Sequence, residues 1–566
     1  MGLRILCFNR FQYGRGSLCF TGLWMGQHSQ ERLVFSIVVG CCSCMDLFGW
    51  QVDSVQAWAL SIRFGEGIPC LRRFSLILYL IIKKMEGHTD IIIVGAGLSG
   101  IGAACHLERK NPDKTYRILE ARAALGGTWS LFKYPGIRSD SDMYTFGYSF
   151  KTWENPKSFA DAPNILSYLH EAVEEYQLAD KIQYQTSVQK AHFDTTTATW
   201  ELQCLNTQTN TLESYSSKYL FVCTGYYNYQ SGYTPDFKGR EQFQGTVVHP
   251  QQWPEELDYR DKKVVVIGSG ATAVTLVPKL AEKAAEVVML QRSPTYVGAF
   301  PNRDAVALGI KKIFPKKIAH KLIRFKNIVT QILFFQACKI WPNTLKRLLV
   351  KGAQKQLGDF PAQPHFEPNY KPWDQRFCVA PDGDLFAAIR AGKAEVVTDI
   401  IDCFTPKGIR LESGKEIPAD IIVTATGLRL LAFGGAQISI DQQAFKVSES
   451  LAYRGLMLSD LPNCIFFAGY TNASWTLKSD LTSEYASRLL KLMDRKKVKY
   501  FVPKVPEGAL ETIPLLNLNS GYIHRAAHEF PKQGQRVPWR LYQNYFRDFW
   551  TLRIKKLTDA QLHFIH

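Results

Sequence analysis

Two glycine-rich turns, each directly after a short apolar strand, constrain the fold of this chain more than any other feature. The first follows residues 90–94 (DIIIV) and carries Gly95, Gly97 and Gly100 in the spacing GxGxxG. The first glycine permits a tight turn, the second lets the backbone approach a pyrophosphate, and the third lets the next helix pack against the strand. The order of strand, turn and apolar helix predicts a dinucleotide site at the start of that helix.

The next predicted strand supplies a residue for the ribose. It ends in YRILE, so Glu120 lies twenty-five residues after Gly95, where a carboxylate can accept hydrogen bonds from ribose hydroxyls. This acid turns GxGxxG, which is a weak motif by itself, into a strong indication of a bound dinucleotide.

A second turn repeats this construction in KKVVVIGSGATAV, as GxGxxA. Its following strand, VVMLQ, leads into Arg292 and Ser293 instead of an acid. An arginine at this position can bind the 2′-phosphate of a nicotinamide cofactor, which predicts NADPH in preference to NADH. The other candidate contacts of this second site are Gly268, Gly270, Thr272 and Ala273.

Two dinucleotide sites on one chain indicate two cofactors that exchange electrons, and FAD reduced by NADPH is the simplest pair. The strands FVCTG and IIVTATG, ending at Gly225 and Gly427, mark where the chain leaves the first domain and returns. We therefore predict the α/β class, with two Rossmann-like domains, the NADP domain inserted into the FAD domain, and a helical lid insertion. A further helix is predicted over residues 164–177.

The predicted boundaries follow from these turns. The FAD domain takes residues 85–230 and 425–494, and the linker with the NADP domain takes 231–424. The helical insert covers about 301–358, and 495–566 form a C-terminal segment.

The positive charge of the chain is concentrated in the helical insert. The formal net charge is +17, and residues 303–351 hold twelve Lys or Arg against one acid, Asp304. Three interpretations remain open: a lid with a solvated basic face, a lid that also contacts anionic lipid, and a nucleic-acid contact. The last is the least favoured, because no nucleic-acid motif accompanies the charge.

Residues 1–84 differ from the rest of the chain. They are rich in Cys, Trp and Arg and lack sustained periodicity, so no fold is assigned to them. Their two apolar runs are about ten residues long, whereas a membrane span needs about 20. Because Met85 directly precedes the first dinucleotide strand, we expect the functional chain to start there; an interfacial anchor is the alternative.

Cysteine usage bears on compartment and class. The seven cysteines after Met85 are scattered, which favours a reduced, cytoplasmic enzyme. No CxxC or CxxxxC spacing occurs among them, which disfavours a disulfide reductase of the same two-domain plan. No metal site is predicted.

A third motif lies on the predicted linker, in FQGTVVHPQQWP. The pattern FxGxxxHxxxWP is satisfied by Phe243, Gly245, His249, Trp253 and Pro254. It resembles the fingerprint of the Baeyer–Villiger monooxygenases, whereas the related N- and S-oxygenating flavin monooxygenases usually have Tyr or Phe in place of Trp. Segments such as GGTWSLFKYPGIRSDSDMYTFGYSF and WDQRFCVAPDGDLFAAIR extend the resemblance, to the ethionamide-activating type, from about Met85 to the C-terminus.

The resemblance implies FAD and NADPH as cofactors, and O2 with an apolar ketone or sulfur compound as substrates. In this family a flavin C4a-peroxide attacks a carbonyl carbon and inserts oxygen beside it. The matching active-site arginine is Arg376, preceded here by Gln375 where the family often has Lys. The acid that positions it is Asp140, with Asp142 as the alternative. Further implied flavin contacts are Gly127, Thr128, Trp129 and Val188.

Two alternative functions remain open. Peroxyflavins also oxygenate sulfur and nitrogen, so the chain is either a ketone-oxidising enzyme or an N- and S-monooxygenase without ketone activity. A redox-sensing flavoprotein that does not oxygenate is the rival from another class. The unaltered GxGxxA turn argues against that rival.

Overall fold

The computed structural model describes residues 4–13, 16–25, 32–36, 88–375, 377–508, 511–516 and 521–566. The chain divides into two units, Met1–Ser75 and Leu76–His566. In the first unit three strands form an antiparallel sheet, although the sequence predicted no fold there: Arg4–Tyr13, Gly16–Met25 and Arg32–Ser36.

The larger sheet of the second unit is built around His88–Val94, the strand before the first glycine-rich turn. Its isoleucines 91–93 are fully buried, because parallel strands flank it on both sides and helix Leu98–Lys110 covers one face. Across this sheet the strands are Gln443–Ala444, Gln437–Ile440, Thr186–Asp194, Thr199–Asn206, Thr211–Val222, His88–Val94, Tyr116–Leu119 and Ile182–Gln183, with Cys464–Phe466 also pairing with Thr211–Val222.

The second sheet is parallel and surrounds Lys263–Ile267, the strand before the second glycine-rich turn. Its order is Thr246–Val248, Ile421–Thr424, Lys263–Ile267, Glu286–Gln291 and Ala394–Thr398. The larger sheet takes strands from before and after this stretch of chain, so the NADP domain is inserted into the FAD domain, as predicted.

The other elements are small sheets of two or three strands and the α-helices. The strands are Tyr227–Gly232 with Leu428–Leu430, Val297–Phe300 with Cys378–Pro381, Ile401–Thr405 with Gly408–Leu411 and Glu416–Pro418, Ala452–Tyr453 with Met457–Leu458, Tyr500–Pro503 with Leu562–Ile565, and Thr512–Pro514 with Lys532–Gly534. The α-helices are Leu98–Lys110, Thr128–Leu131, Met143–Phe146, Ala162–Glu175, Ala271–Leu280, Ala305–Ile313, Lys316–Ile340, Pro342–Leu357, Asp384–Arg390, Trp475–Lys496, Gly521–Ala526 and Tyr545–Phe549.

The basic segment is helical, as predicted, and its longest helix, Lys316–Ile340, packs on the FAD domain through apolar side chains such as Ile323 and through polar ones. Arg324 donates hydrogen bonds to the carbonyl oxygens of Tyr144, at 2.8 Å, and Gly147, at 2.7 Å. It also pairs with Asp480 on helix Trp475–Lys496, at 3.0 Å. A buried arginine therefore fastens the insert to the other domain.

Asp480 is the centre of this buried ionic cluster. Besides Arg324, it contacts His106 of helix Leu98–Lys110 at 3.3 Å and accepts a hydrogen bond from the Ser149 amide at 2.8 Å. Burial alone would raise the pKa of Asp480, but the hydrogen bond from His106 and the charge of Arg324 hold that pKa below its usual value. The carboxylate is thus fully paired and ionised.

His320, one turn before Arg324, gives the first testable prediction. Burial, together with the charge of Arg324, lowers the pKa of His320 from 6.5 to about 4. The unfolded chain therefore takes up the proton first, so this stabilisation is complete above pH 6.5 and is lost as the pH falls towards 4. Between about pH 7 and pH 5 we expect it to remove about 2 kcal/mol from the free energy of unfolding.

Urea unfolding of the wild type and of His320→Leu at both pH values measures this effect. The variant should lose less stability on acidification than the wild type, by that same amount. Equal losses in the two proteins would contradict the assignment.

Candidate active site

A cleft of about 750 Å³ lies at the carboxyl ends of the strands that precede and follow the first glycine-rich turn. Both domains line it, because helix Ala271–Leu280 of the NADP domain contributes residues beside those of the FAD domain. The predicted site residues that line the cleft are Gly95, Gly97, Glu120, Gly127, Thr128, Trp129, Asp140, Val188 and Thr272.

Glu120 lies in this cleft, directly after strand Tyr116–Leu119. Its carboxylate accepts hydrogen bonds from the Ala96 amide at 2.7 Å and the Arg122 amide at 3.0 Å. Burial raises the pKa of Glu120 above its ordinary value, although these two hydrogen bonds oppose the shift. The acid therefore braces the glycine-rich turn as well as facing the cleft.

The loop opposite this turn depends on glycine. Gly126 and Gly127 have φ values of 106° and 56°, in the region that favours glycine. Arg122, which sequence reasoning missed, holds the loop by donating to the Gly127 carbonyl at 3.1 Å and to Ser130 Oγ at 2.8 Å. Its only sequence signal is its place two residues after Glu120.

The second glycine-rich turn lies at the end of strand Lys263–Ile267. Helix Ala271–Leu280 begins after Gly270 without a side-chain cap, and Ala273 is fully buried against the sheet. Arg292 and Ser293 are exposed just beyond the next strand. The described cleft is not lined by Gly268, Gly270, Ala273, Arg292 or Ser293.

The two candidate acids are placed differently. Asp140 lines the cleft and is partly buried. Asp142 caps helix Met143–Phe146 through the Thr145 amide and accepts hydrogen bonds from Asn327 and Gln331 of the helical insert. Asp142 is therefore occupied by structural bonds. The predicted arginine, Arg376, lies outside the described residues.

The linker fingerprint connects the two segments of chain that run between the domains, one leaving the FAD domain and one returning to it. His249 accepts a hydrogen bond from the Gln251 amide through Nδ1, so its Nε2 donates to the Gly427 carbonyl, at 3.1 Å for both bonds. Gly232 lies so close that a Cβ there would come within 1.9 Å of the imidazole. Burial lowers the pKa of His249, so the imidazole stays neutral in this role.

The other fingerprint residues give the linker a fixed path. Phe243 and Trp253 are buried, and the Phe243 ring meets Phe404 edge to face. A Cβ at Gly245 would lie 2.3 Å from the Asp420 carbonyl oxygen, so only glycine fits there. Pro254 then leads the chain towards strand Lys263–Ile267.

The segment TNASWTLK contributes three residues to the cleft, Thr471, Ala473 and Trp475. Trp475 lines it, stacks on Tyr226 at 5.1 Å, and donates from Nε1 to Ser99 Oγ at 2.8 Å. Lys478 is fully buried and pairs with Asp548 at 2.9 Å, away from the cleft lining. Trp475 is thus a wall of the site, and Lys478 is a structural residue.

Comparison with known proteins identifies the family. The family model for pyridine nucleotide-disulphide oxidoreductases matches residues 92–304, which contain both glycine-rich turns. EthA of Mycobacterium tuberculosis, a FAD-containing monooxygenase, is 48% identical over 482 residues, covering 85% of this chain and 98% of EthA. The chain belongs to the EthA-type FAD-containing monooxygenases. The predicted family resemblance is therefore confirmed.

Further relatives of this monooxygenase agree. AlmA of Acinetobacter baylyi, a probable FAD-binding monooxygenase, is 46% identical over 482 residues, covering 85% of this chain and 97% of AlmA. A solved steroid monooxygenase bound to NADP has the same fold, with a TM-score of 0.62 at 22% identity, covering 74% of this chain and 88% of that one. The EthA-type monooxygenase described here uses FAD, as predicted, and the solved steroid monooxygenase that shares its fold binds NADP.

The residues present in this monooxygenase fit FAD. A Cβ at Gly127 would lie 3.2 Å from Gly97 Cα, so side chains at either glycine would narrow the gap between the two loops. Helix Leu98–Lys110 has no side-chain cap, which leaves its first amides to bind a pyrophosphate. A Cβ at Gly100 would lie 1.8 Å from the Gly95 carbonyl oxygen, so the turn holds only glycine there.

Within the part of the chain that the structure describes, no helix has the length and apolar character needed to span a membrane.

Proposed function

We propose that this monooxygenase inserts one atom of O2 beside the carbonyl carbon of apolar ketones, giving esters, and also oxygenates sulfur compounds. The observation that carries the proposal is the FxGxxxHxxxWP pattern. Its His249 hydrogen-bonds to the Gly427 carbonyl and so connects the two segments of chain that run between the FAD and NADP domains. Trp253 and Pro254 are the features that favour the ketone-oxidising branch of the resemblance.

The walls of the cleft suit an apolar substrate. Aromatic side chains from the FAD domain and the C-terminal segment line it: Trp129, Phe146, Tyr226, Phe467, Trp475 and, in the C-terminal segment, Phe530. Apolar walls favour binding of apolar ketones and thioethers, and they exclude water from a reaction that water would divert.

The chemistry is divided between cofactor and protein. When bound, FAD accepts a hydride from NADPH and activates O2, and the second oxygen atom leaves as water. The carbonyl oxygen gains negative charge as the new C–O bond forms, which requires a fixed cation beside it. We assign that role to Arg376, whose guanidinium stays charged, and assign Asp140 to orient it.

The proposed cofactor contacts divide between the two dinucleotide sites. We assign to the FAD site Gly95, Gly97, Gly100, Glu120, Gly127, Thr128, Trp129, Asp140 and Val188. We assign to the NADPH site Gly268, Gly270, Thr272, Ala273, Arg292 and Ser293.

Product analysis tests the proposed function. The enzyme is incubated with NADPH, O2 and either an aliphatic methyl ketone or an aryl methyl thioether, and the products are identified by mass spectrometry. The proposal predicts an ester from the first substrate and a sulfoxide from the second. A sulfoxide alone would indicate an N- and S-monooxygenase, and NADPH consumption yielding only hydrogen peroxide would indicate a flavoprotein that does not oxygenate.

Arg292 tests the second dinucleotide site. Arg292→Ala should lower kcat/KM for NADPH about 10- to 100-fold, because a hydrogen bond between charged groups contributes about 1.5–3 kcal/mol. The value for NADH, which has no 2′-phosphate, should stay nearly unchanged. Lys262→Ala, at another exposed cation of the same domain, is the matched control and should leave both values unaltered. Equal losses with both cofactors would contradict the assignment.

A further inference from the structure

The long basic helix, Lys316–Ile340, carries five exposed apolar residues on the side that faces away from the protein, besides those that it buries. Spacings of three, four, seven and eight residues place them on one stripe. Their exposed fractions are 49% for Ile318, 40% for Leu322, 59% for Phe325, 64% for Leu333 and 61% for Ile340. We call these five residues the outward face. A surface helix normally buries such a stripe.

The inward side of the same helix combines buried apolar side chains, such as Ile323 and Ile328, with polar contacts that fix the rotation of the helix. Arg324 bonds to backbone carbonyls and to Asp480, while Asn327 and Gln331 donate to Asp142 at 2.6 and 2.7 Å. Rolling the helix to bury its apolar stripe would break these buried bonds, which is costly. The outward face is therefore a stable feature of the fold.

Two neighbouring segments extend the outward face into a wider apolar patch. Ile313 and Phe314, at the turn before the helix, are 75% and 41% exposed. On the other side the Phe325 ring contacts Phe546, 6.2 Å between centroids, and Trp550 in the same C-terminal segment is 57% exposed. Contiguous apolar patches of this kind mark interaction sites.

The positive charge around the patch indicates which kind of surface it binds. Lys312, Lys317 and Lys321 are exposed and adjoin Ile313, Ile318 and Leu322 in the chain. Residues 303–351 hold twelve basic side chains against one acid, so a second copy docking face to face would bring like charges together. An apolar face with a rim of lysines instead matches an anionic lipid surface, with the helix lying in the plane of the interface.

We propose that the outward face, together with Ile313, Phe314 and the C-terminal aromatic residues Phe546 and Trp550, docks the enzyme on an anionic membrane surface. The inference is independent of the proposed ketone chemistry. Docking would bring the enzyme to the phase in which apolar compounds concentrate.

Vesicle co-sedimentation of the full-length, FAD-loaded enzyme tests this proposal. Vesicles of phosphatidylcholine mixed with phosphatidylglycerol should bind it, and vesicles of phosphatidylcholine alone should bind it at least about tenfold more weakly. The triple variant Lys312→Glu, Lys317→Glu, Lys321→Glu should lose binding to the anionic vesicles by a similar factor. The double variant Leu322→Ser, Leu333→Ser should lose binding most clearly at raised salt, where screening leaves mainly the apolar contribution.

Matched controls distinguish a specific contribution of the outward face to vesicle binding from general effects of changed charge and polarity. One control is the triple variant Lys262→Glu, Lys393→Glu, Lys407→Glu, which changes the net charge by the same amount at exposed sites outside the patch. The other is the double variant Leu212→Ser, Ile400→Ser, which removes exposed apolar side chains outside the patch. Both controls should bind like the wild type. Equal losses in controls and test variants, or no binding by the wild type, would overturn the proposal. A fall in molecular mass by light scattering in the Leu322→Ser, Leu333→Ser variant, with vesicle binding unchanged, would also overturn it in favour of self-association.

Discussion

Replacing Arg376 by alanine is expected to lower kcat for ketone oxygenation about 100- to 1,000-fold, as removal of one stabilising donor does in other oxyanion sites. The physical reason is that the carbonyl oxygen gains negative charge where the family resemblance places this guanidinium. Sulfur is itself the nucleophile towards oxygen, so thioether oxygenation in the same variant should fall much less. Rates of ester and sulfoxide formation, measured side by side, check the prediction.

The comparison between the two substrates distinguishes loss of the proposed role of Arg376 from misfolding of the variant. The flavin absorbance of Arg376→Ala should match that of the wild type, and NADPH oxidation should continue with hydrogen peroxide as the product. Arg376→Lys, which retains a cation but not the planar fork of donors, should be intermediate in ester formation. An equal fall for ketone and thioether would place Arg376 outside the role assigned to it.

Replacing Asp480 by alanine is expected to lower the free energy of unfolding by about 3–5 kcal/mol, because it leaves Arg324 buried without its counter-ion. The side chains of both residues are 8% exposed, so water cannot replace the lost carboxylate. The effect should appear as a lower midpoint of urea unfolding followed by flavin fluorescence. The helical insert should separate first, since Arg324 is its buried link to the FAD domain.

An exposed ion pair of the same insert provides the control. Lys316 and Glu154 lie 2.9 Å apart, but their side chains are 77% and 60% exposed. Glu154→Ala should therefore change the free energy of unfolding by no more than about 1 kcal/mol. Similar small effects for Asp480→Ala and Glu154→Ala would show that the buried cluster does not hold the insert.

Much of the fold was predictable because its determinants are local. Each glycine-rich turn lies beside its own strand and helix, and the order of these units implied the inserted domain. The helix predicted over residues 164–177 forms as Ala162–Glu175 instead, because Asp161 caps it by accepting from the Asn164 amide. Boundaries depend on such caps, which apolar periodicity does not reveal.

The features that sequence reasoning missed depend on distant contacts. His106 and Asp480 are 374 residues apart in the chain, so no spacing rule could pair them. The fingerprint located the linker in the sequence. The hydrogen bond from His249 to Gly427, however, forms only because the segment that returns to the FAD domain lies beside the linker. The outward face of Lys316–Ile340 was hidden for the same reason, since the bonds of Arg324, Asn327 and Gln331 to distant parts of the chain help to decide which side of the helix faces inward.

The most direct test of the central claim is oxygenation of an aliphatic methyl ketone under O2 labelled with the heavy oxygen isotope. The proposed function predicts an ester that carries one labelled atom, at the bridging oxygen, while the carbonyl oxygen remains unlabelled. Consumption of NADPH without a labelled ester, with the label found only in hydrogen peroxide or water, would contradict it.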